Sequence, residues 1–495
     1  MRSRLRRSRS AVFAIACIAA LPGGCLLGRD DFDGLNPQQP SLGGSAGTSS
    51  ANPGGVGANA SGGLGGSGST EAGPDTSLDS TGGSAGPGGM TGSGGSGGVI
   101  IPDAGSDADS SDGQPEIDAG RLSTTTPQLI AAPPEDMTMN FGRSVALSGD
   151  WAVIGSAHEF SQAGSVYFAQ RGSDQTWTIK KKFEWLPKNG TVPPVLDGSM
   201  VDFGFSVAMS GSLAAAGGPG RHSHTGFVYY FSLSTAGGWG LVDWLYASDD
   251  YFLADAFGFA VAVDASTMVV GAPADENRVG RAYVYEREFD TWTFRNSLSY
   301  PTAETQELGT AVAVQGGTVA ACAKGSNGSS GAVFIFERSE DRWFFKQKLV
   351  PNAEHDALFC SGSLAFDGDT LIAGTESRKG GSTYVFSRTA GVWSETPTHV
   401  FLPPRSLLDS PWRFGAGTAL CGDNALIGHQ GMTGKDSDVI FHRRTPAGWG
   451  VLGGLEQLVA SAEFSSIACQ NSRIAIGDRA ANGETGGVWV FDLLP

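Results

Sequence analysis

Small apolar residues alternate with serine, threonine or glycine in short stretches along most of the chain. Each stretch is followed by a turn that contains Gly, Asp, Asn or Ser, by a second apolar run, and then by a run with alternating aromatic residues. Alternation with a period of two between turn residues predicts β-strands joined by hairpins. The clearest copy runs from Ala256 to Glu288 and reads AFGFAVAVDASTMVVGAPADENRVGRAYVYERE.

Seven copies of this pattern align on a position that is usually phenylalanine. They begin at Phe141, Phe203, Phe257, Leu308, Cys360, Phe414 and Glu463. Successive copies are separated by 49 residues (Phe414 to Glu463) to 62 residues (Phe141 to Phe203). Repeats of about 50 residues built from four strands are typical of propeller blades. The pattern therefore predicts an all-β fold, a seven-bladed β-propeller.

The four predicted strands of each copy differ in residue size. The first strand is small and apolar, which suits an innermost position where strands converge on the propeller axis. The third strand carries aromatic residues, and a loop with a tryptophan precedes the fourth strand in six copies: Trp177, Trp239, Trp292, Trp343, Trp393 and Trp449. We interpret these tryptophans as packing residues between blades. A stacking platform for sugars is the alternative.

The last copy ends after its third strand, which leaves an unpaired edge of the kind that proteins avoid. The segment Thr126–Pro133, TPQLIAAP, resembles LEQLVAS, which we predict to be the fourth strand of the sixth blade. We therefore predict that Thr126–Pro133 completes the last blade as its outermost strand. Residues 123–495 then form one closed domain.

The order of Phe-Gly, Gly-Ala-Pro and a Tyr-Val-Phe-like strand resembles the FG-GAP repeat of integrin alpha heads and of many bacterial surface proteins. This resemblance covers nearly everything after Leu122 and implies a seven-bladed propeller that binds partners at one end. It implies no particular activity, since propellers serve many functions. Kelch repeats are a second family to consider, because GGSTYVFSRTAGVW has their glycine pair, tyrosine and tryptophan in order.

The amino-terminal region differs in composition from the repeats. Residues 1–25 contain five arginines, an apolar run and small residues before Cys25, as in a secretory signal. Residues 21–25 resemble a bacterial lipobox with Pro22 in place of an aliphatic residue, so we expect lipidation at Cys25, with plain signal cleavage as the alternative. Residues 26–122 are rich in Gly, Ser and Asp and predict a disordered linker. Its acidic stretch, Asp103–Asp118, resembles a solvated tail more than a calcium loop.

The formal net charge of −17 argues against nucleic acid as a partner, since phosphate contacts require concentrated Lys and Arg. We expect an exported protein that is located at the outer membrane or the cell surface, contacts the membrane only through a lipid anchor, and is monomeric. The most favoured function is recognition or adhesion, with an unknown protein or glycan as partner and no catalysis. An envelope polysaccharide enzyme and a structural component of an outer-membrane assembly are the alternatives.

The resemblance to integrin heads implies that the loops after the second strands, together with the links between blades, form the binding face. The candidate residues on this face are His158, Arg221, His222, His224, Asp409, Trp412, Arg413 and His429. A zinc or copper site formed by the histidines of these loops, His158, His222, His224 and His429, is an alternative, but we expect no metal and no cofactor. No sequence motif identifies a catalytic nucleophile, and the small inner strands disfavour catalysis.

Four cysteines fall in the repeats. Cys322 and Cys360 both lie near the Phe-Gly end of adjacent copies, and Cys421 and Cys469 both lie near the hairpin end of adjacent copies. In an exported protein these pairs predict two disulfides. Four buried free thiols are the alternative.

The connection between the first and second strands leads to a prediction about calcium. Integrin-type repeats often hold calcium there in a longer, Asp-rich loop, whereas this chain has only short turns such as SGDW and DGDT. A two-residue turn cannot supply the six to eight oxygen ligands that calcium takes. We expect calorimetric titration of the propeller with calcium to show no tight sites in the blades, and several tight sites would contradict this expectation. Asp150, Asp369 and Asp423 are then turn-forming residues.

Overall fold

The structure is a computed structural model and describes most of the chain from residue 117 onward. The described residues are 117–134, 140–157, 163–185, 201–220, 226–247, 255–300, 306–326, 330–351, 358–375, 380–403, 413–430, 437–459 and 463–494. Over these residues the chain forms seven sheets of four or five strands, which are antiparallel except for one short parallel pairing in blade 6. The predicted seven-bladed β-propeller is confirmed.

The first three blades follow the chain in simple order, from the innermost to the outermost strand. The chain enters through β1 (Gln128–Ala131), which belongs to the last blade. Blade 1 contains β2 (Phe141–Ser148), β3 (Trp151–Ser156), β4 (Ser165–Arg171) and β5 (Trp177–Glu184). Blade 2 contains β6 (Ser206–Ser210), β7 (Leu213–Gly218), β8 (Phe227–Leu233) and β9 (Trp239–Leu245). Blade 3 contains β10 (Ala260–Asp264), β11 (Thr267–Ala272), the short helix α1 (Asp275–Arg278), β12 (Arg281–Glu288) and β13 (Thr291–Leu298).

The next three blades keep this order, with an irregular outer edge in blade 5. Blade 4 contains β14 (Leu308–Gln315), β15 (Thr318–Ala323), β16 (Ala332–Ser339) and β17 (Arg342–Leu349). Blade 5 contains β18 (Phe359–Asp367), β19 (Thr370–Thr375), β21 (Thr383–Thr389), β22 (Val392–Trp393) and β23 (His399–Phe401). Blade 6 contains β24 (Arg413–Cys421), β25 (Asn424–Gln430), β26 (Asp438–Thr445) and β27 (Gly448–Gly454), and β20 (Gly380–Gly381) pairs in parallel with β24.

Blade 7 is completed by the amino-terminal strand. It contains β28 (Phe464–Gln470), β29 (Arg473–Asp478), the short helix α2 (Ala481–Glu484) and β30 (Gly487–Asp492). Strand β1 pairs antiparallel with β30, from Gln128 opposite Val490 to Ala131 opposite Gly487. The predicted closure by Thr126–Pro133 is confirmed.

The seven first strands form the inner ring. Each contacts the first strand of the next blade, and β28 contacts β2 to close the circle. Their side chains are small, as in SVAMS of β6 and AVAVD of β10. Packing then joins neighbouring blades through shared apolar clusters. One cluster holds Ile130 of β1, Phe141 and Val145 of blade 1, and Val488 of blade 7, so the closing strand is part of the core at the last interface.

The six aligned tryptophans pack between blades, as predicted. Trp239, Trp292, Trp343 and Trp393 are buried, and Trp177 and Trp449 are half-buried. Trp239 of blade 2 stacks on Phe168 of blade 1 with ring centroids 4.5 Å apart, and Trp449 of blade 6 lies 5.4 Å from Phe401 of blade 5. The structure places these tryptophans at or near the start of the fourth strands, where the sequence pattern predicted a preceding loop.

Three other predictions are corrected. The fourth strand of blade 6 is Gly448–Gly454, and LEQLVAS begins with a 3₁₀ helix at Leu455–Gln457. The phenylalanine position is the one that pairs with the residue after the second-strand glycine, as Phe141 pairs with Ser156. By this criterion the fifth and seventh copies begin at Phe359 and Phe464, one residue away from Cys360 and Glu463. The bulge in the first strand has a different length in these two blades.

The predicted linker, residues 26–122, extends too far toward the propeller. Residues 117–122 lie along the outer strand of blade 6, where the Leu122 N–H donates to the Leu452 carbonyl at 2.9 Å. Ala119 is buried in the core cluster shared by blades 6 and 7. Thr124 then bridges to Leu493 before β1 begins. We call residues 117–122 the amino-terminal strap.

Two adjacent side chains of the closing strand β1 should contribute differently to the stability of the fold. Ile130 is buried in the interface cluster, whereas Leu129 on the opposite face of β1 is 36% exposed. We expect Ile130→Ala to lower the free energy of unfolding by about 2–4 kcal/mol. The matched control Leu129→Ala should lower it by less than about 1 kcal/mol. Urea unfolding measures both values, and equal effects would contradict closure by this strand.

Candidate functional site

The two ends of the propeller are built differently. The hairpin end carries the seven two-residue turns between first and second strands: 149–150, 211–212, 265–266, 316–317, 368–369, 422–423 and 471–472. The opposite end, which we call the mouth, carries the connections after the second strands and the links that lead into each next blade. These links enter beside the preceding loop through parallel bridges, such as that between Gly164 and Phe203. A ligand site can be built from the longer connections of the mouth.

Side chains of the inner ring tie the hairpin end together. At six interfaces, the N–H of the first turn residue donates to the side chain that ends the first strand of the preceding blade. The pairs are Gly149 with Gln470, Gly211 with Ser148, Ala265 with Ser210, Gly316 with Asp264, Gly368 with Gln315, and Gly422 with Asp367. Their lengths run from 2.6 Å (Gly149) to 3.2 Å (Ala265). The ends of these inner strands therefore serve blade-to-blade cohesion.

Glycines bring adjacent blades into backbone contact at the mouth. A Cβ on Gly155 of blade 1 would overlap the carbonyl oxygen of Gly204 in blade 2. Gly204 follows the phenylalanine and has a φ of +86°, in the left-handed region that favours glycine. The Ser144 hydroxyl donates to the same Gly204 carbonyl at 2.8 Å, and Ser206 repeats this bond to Gly258. The two glycines of the repeat are therefore explained by packing.

Each cysteine pair takes the place of one of these repeated contacts. Cys322 and Cys360 stand where five other interfaces have two facing glycines, and Cys360 keeps the left-handed backbone with a φ of +59°. Cys421 ends its first strand, at the hairpin-end position that elsewhere accepts the hydrogen bond, and it pairs with Cys469. The Cα–Cα distances of 5.4 and 5.8 Å lie in the usual disulfide range. The structure thus bonds the two predicted pairs, across blades 4–5 and blades 6–7.

In each blade, one residue of the first strand pairs with the second-strand glycine or its equivalent, as Ser144 pairs with Gly155. In three blades the residue just before this paired residue has a large side chain. Arg143, Phe205 and Phe259 come from blades 1, 2 and 3. The Arg143 guanidinium lies 4.7 Å from the Phe205 ring centre, and the Phe205 and Phe259 centroids are 5.2 Å apart. The other four blades have small residues here: Thr310, Gly362, Ala416 and Ser465. We call the three large side chains the mouth stack.

Buried charge is concentrated at the mouth. Nine Asp, Glu, Lys, Arg or His side chains are buried among the described residues, and seven of them lie at this end: Arg143, Asp202, Asp255, Asp275, Lys324, His429 and Asp478. Two have evident structural roles. Asp275 accepts a hydrogen bond from the Tyr283 hydroxyl at 2.6 Å, and Asp478 accepts from the Trp489 indole at 2.9 Å. Buried charged groups are unusual in a fold and cluster at functional sites.

The connection after β11 is the best described loop of the mouth. Arg278 pairs with Glu307 of the next link, and the Glu307 N–H donates to the Arg278 carbonyl at 2.8 Å. Arg281 pairs with Glu276 and lies 3.5 Å from Asp275. Ion pairs and backbone bonds thus fix this loop against blade 4, and its outward surface presents Glu276 to solvent.

His429 lies at the mouth but is not an exposed loop histidine. It belongs to β25, pairs with Phe414 and Asp438 on the flanking strands, and is buried. Burial lowers the pKa of His429 to about 4 and raises that of Asp438 to about 6. Both shifts favour the neutral forms, which burial in a medium of low polarity generally does.

The other predicted site residues are placed as follows. Arg413 begins β24, and its side chain is outside the described set. Cys25, His158, Arg221, His222, His224, Asp409 and Trp412 all lie outside the described residues. The mouth stack was not predicted. Comparing the seven copies at the position before the glycine-paired residue would have found it, since only three blades have a large residue there.

The described part of the chain contains no group of three or more His, Cys, Asp or Glu side chains placed to hold a metal ion. Asp150, Asp369 and Asp423 occupy turns as predicted, and each pairs with an arginine: Arg473, Arg388 and Arg444 respectively. Among the helices of the described segments, none combines the length and the apolar character needed to cross a membrane.

The family model for the FG-GAP repeat matches residues 129–168 and 239–285. The chain therefore contains FG-GAP repeats. The first match spans the closing strand and most of blade 1, and the second runs from the outer strand of blade 2 into the third strand of blade 3. The remaining blades repeat the antiparallel order of the inner strands, and five of the seven blade interfaces keep the glycine contact. No curated protein matches this sequence.

The two cysteine pairs can be tested by mapping their disulfide bonds and by measuring the stability that is lost when one pair is removed. Peptide mapping without reduction should find Cys322 linked to Cys360 and Cys421 linked to Cys469. The sequence separations of 38 and 48 residues give an expected loss of about 3–4 kcal/mol when one pair is changed to serine. Four alkylatable thiols in the native protein would contradict the pairing.

Proposed function

We propose that this FG-GAP protein is an exported recognition or adhesion module that binds a protein or a glycan through the mouth of its propeller. The concentration of buried charged groups at the mouth is the observation that carries the proposal. FG-GAP propellers commonly mediate binding of proteins or ligands. Function in such a fold resides in residues added to the scaffold, and the mouth is where this scaffold carries its longer connections.

The proposed mode of action is binding without catalysis. The inner strands supply mainly alanine, valine and serine, which offer no general acid or base. The mouth stack combines a guanidinium with two phenyl rings in a buried layer that supports the surface of the mouth. A monomeric propeller that presents this end to a partner fits both features.

Export and tethering are part of the proposal. The two cysteine pairs fit an oxidising compartment, and residues 1–25 have the layout of a secretory signal that ends in Cys25. We propose that Cys25 is lipidated and that the Gly- and Ser-rich linker carries the propeller away from the outer membrane. The membrane is then contacted only through the lipid.

Blocking each end separately tests the proposal. Glu276→Cys and Asn482→Cys introduce exposed thiols at the mouth in blades 3 and 7, and Asp341→Cys introduces one at the hairpin end. Coupling each variant to maleimide-polyethylene glycol covers one end of the propeller. Binding to a glycan array and to intact bacterial envelopes is then measured before and after coupling.

We expect coupling at either mouth position to reduce binding at least tenfold, since the bulky polymer excludes a partner from that end. Coupling at Asp341 should leave binding unchanged. Loss of binding only after coupling at Asp341 would contradict the assignment of the mouth. Release of reducing sugar ends from envelope polysaccharide would instead identify an enzyme.

A further inference from the structure

The joint between blades 5 and 6 contains two histidines that both contact one phenylalanine. Phe401 of β23 lies with its ring centre 4.8 Å from that of His399 and 4.3 Å from that of His442 in blade 6. Trp449 of blade 6 lies 5.4 Å from the same Phe401 ring. These contacts, together with a small apolar cluster, hold the outer edge of blade 5 against blade 6.

Blade 5 has the weakest outer edge of the described blades. Its fourth strand is divided into β22, with two residues, and β23, with three residues. Strand β23 pairs with β21 only from Thr383–Phe401 to Val385–His399. The other blades have an uninterrupted outer strand of four to eight residues. Retention of β23 therefore depends strongly on the side chains that touch blade 6.

His442 is held neutral at this joint. Its Nε2 is buried and has no hydrogen-bond partner among the described residues. Burial lowers the pKa of His442 to about 3, with a further contribution from His399. Burial also lowers the pKa of His399. Both histidines therefore bind protons more readily when they are released into water.

The described charges around the joint do not compensate a proton on His442. Arg444 shares the strand face of His442, lies over Trp449 and pairs with Asp423. Arg443 bonds to Asn424 on the neighbouring strand. The remaining ionisable groups on the packed strands are engaged elsewhere: Arg388 of β21 with Asp369, and Asp438 of β26 with the N–H groups of Val439 and Glu456. Among the described side chains, only His399 interacts electrostatically with His442, so no carboxylate compensates a proton there.

We propose that this joint is an acid-operated latch: uptake of protons by His399 and His442 releases β23 from blade 6 while the rest of the propeller stays folded. Release uncovers Phe401 and the outer edge of β21.

Proton linkage sets the size of the effect. The released state titrates near the ordinary histidine pKa of about 6.5, whereas docked His442 stays neutral down to about 3. The ratio of released to docked β23 therefore rises by about tenfold for each pH unit below about 6.5, for each histidine that stays neutral when docked. At about pH 4.5, His442 alone should raise this ratio by about 100-fold.

Hydrogen–deuterium exchange on the purified full-length protein tests the latch. Protection factors, corrected for the intrinsic pH dependence of exchange, are compared between about pH 7 and about pH 4.5. We expect protection of residues 383–385 and 398–401 to fall by up to about 100-fold, while strands of the inner ring stay protected. Equal loss of protection in all blades, or no loss at residues 398–401, would overturn the proposal.

Substitutions of the histidines test whether His399 and His442 cause the acid-induced loss of protection. His442→Phe and His399→Phe keep an aromatic ring at each site and remove its titration, so the acid-induced loss of protection should shrink in each single variant and disappear in the double variant. His429→Gln is the matched control, because His429 is also buried in blade 6 but makes none of the described contacts with Phe401. The proposal would be overturned if the double variant still lost protection in acid to the same extent. It would also be overturned if His429→Gln suppressed the loss as strongly as the Phe variants, and this comparison remains possible if one Phe variant fails to fold.

Discussion

The close approach of backbones between neighbouring inner strands is the constraint on which the propeller depends. At five interfaces, the glycine after the phenylalanine position lies against the second-strand glycine of the preceding blade: Gly204 on Gly155, Gly258 on Gly217, Gly309 on Gly271, Gly415 on Gly374, and Gly142 on Gly477. A Cβ at the second-strand glycines would overlap the partner's backbone. The glycines of the FG-GAP signature therefore report how tightly seven strands converge, and they carry no information about a ligand.

Each of the two disulfides replaces a contact between inner strands that recurs at the other blade interfaces. Cys322 and Cys360 replace a glycine pair at the mouth, and Cys421 replaces a hydrogen-bonding side chain at the hairpin end. At both places the Cα–Cα distance is set by the same inner-strand spacing, which is why a disulfide fits without displacing a blade. The disulfides thus join blades 4 and 5 at the mouth and blades 6 and 7 at the hairpin end, and the closing strand packs at the junction between the first and last blades.

Much of the fold could be predicted from the sequence because alternation with a period of two fixes strands locally, and a period near 50 fixes the blades. Closure by Thr126–Pro133 followed from counting strands. The similarity of that segment to LEQLVAS was misleading, because the real fourth strand of blade 6, GWGVLGG, is rich in glycine and is a poor strand by propensity. A Cβ on its Gly450 would overlap the Ile117 carbonyl oxygen and the Ala119 Cβ of the amino-terminal strap. The reason for the glycines is thus a segment more than 300 residues away in the sequence.

The candidate site was less predictable because its residues are those that depart from the repeat. Seven inner strands leave too little space at the mouth for seven large side chains, so Arg143, Phe205 and Phe259 can be present only because the other blades have small residues there. Large side chains in three blades are thus compensated by small side chains in the other four, and no single repeat shows this compensation. The same holds for Phe401, whose two histidine neighbours come from different blades. Repeated positions build the ring, and positions that break the repeat give this propeller its own chemistry.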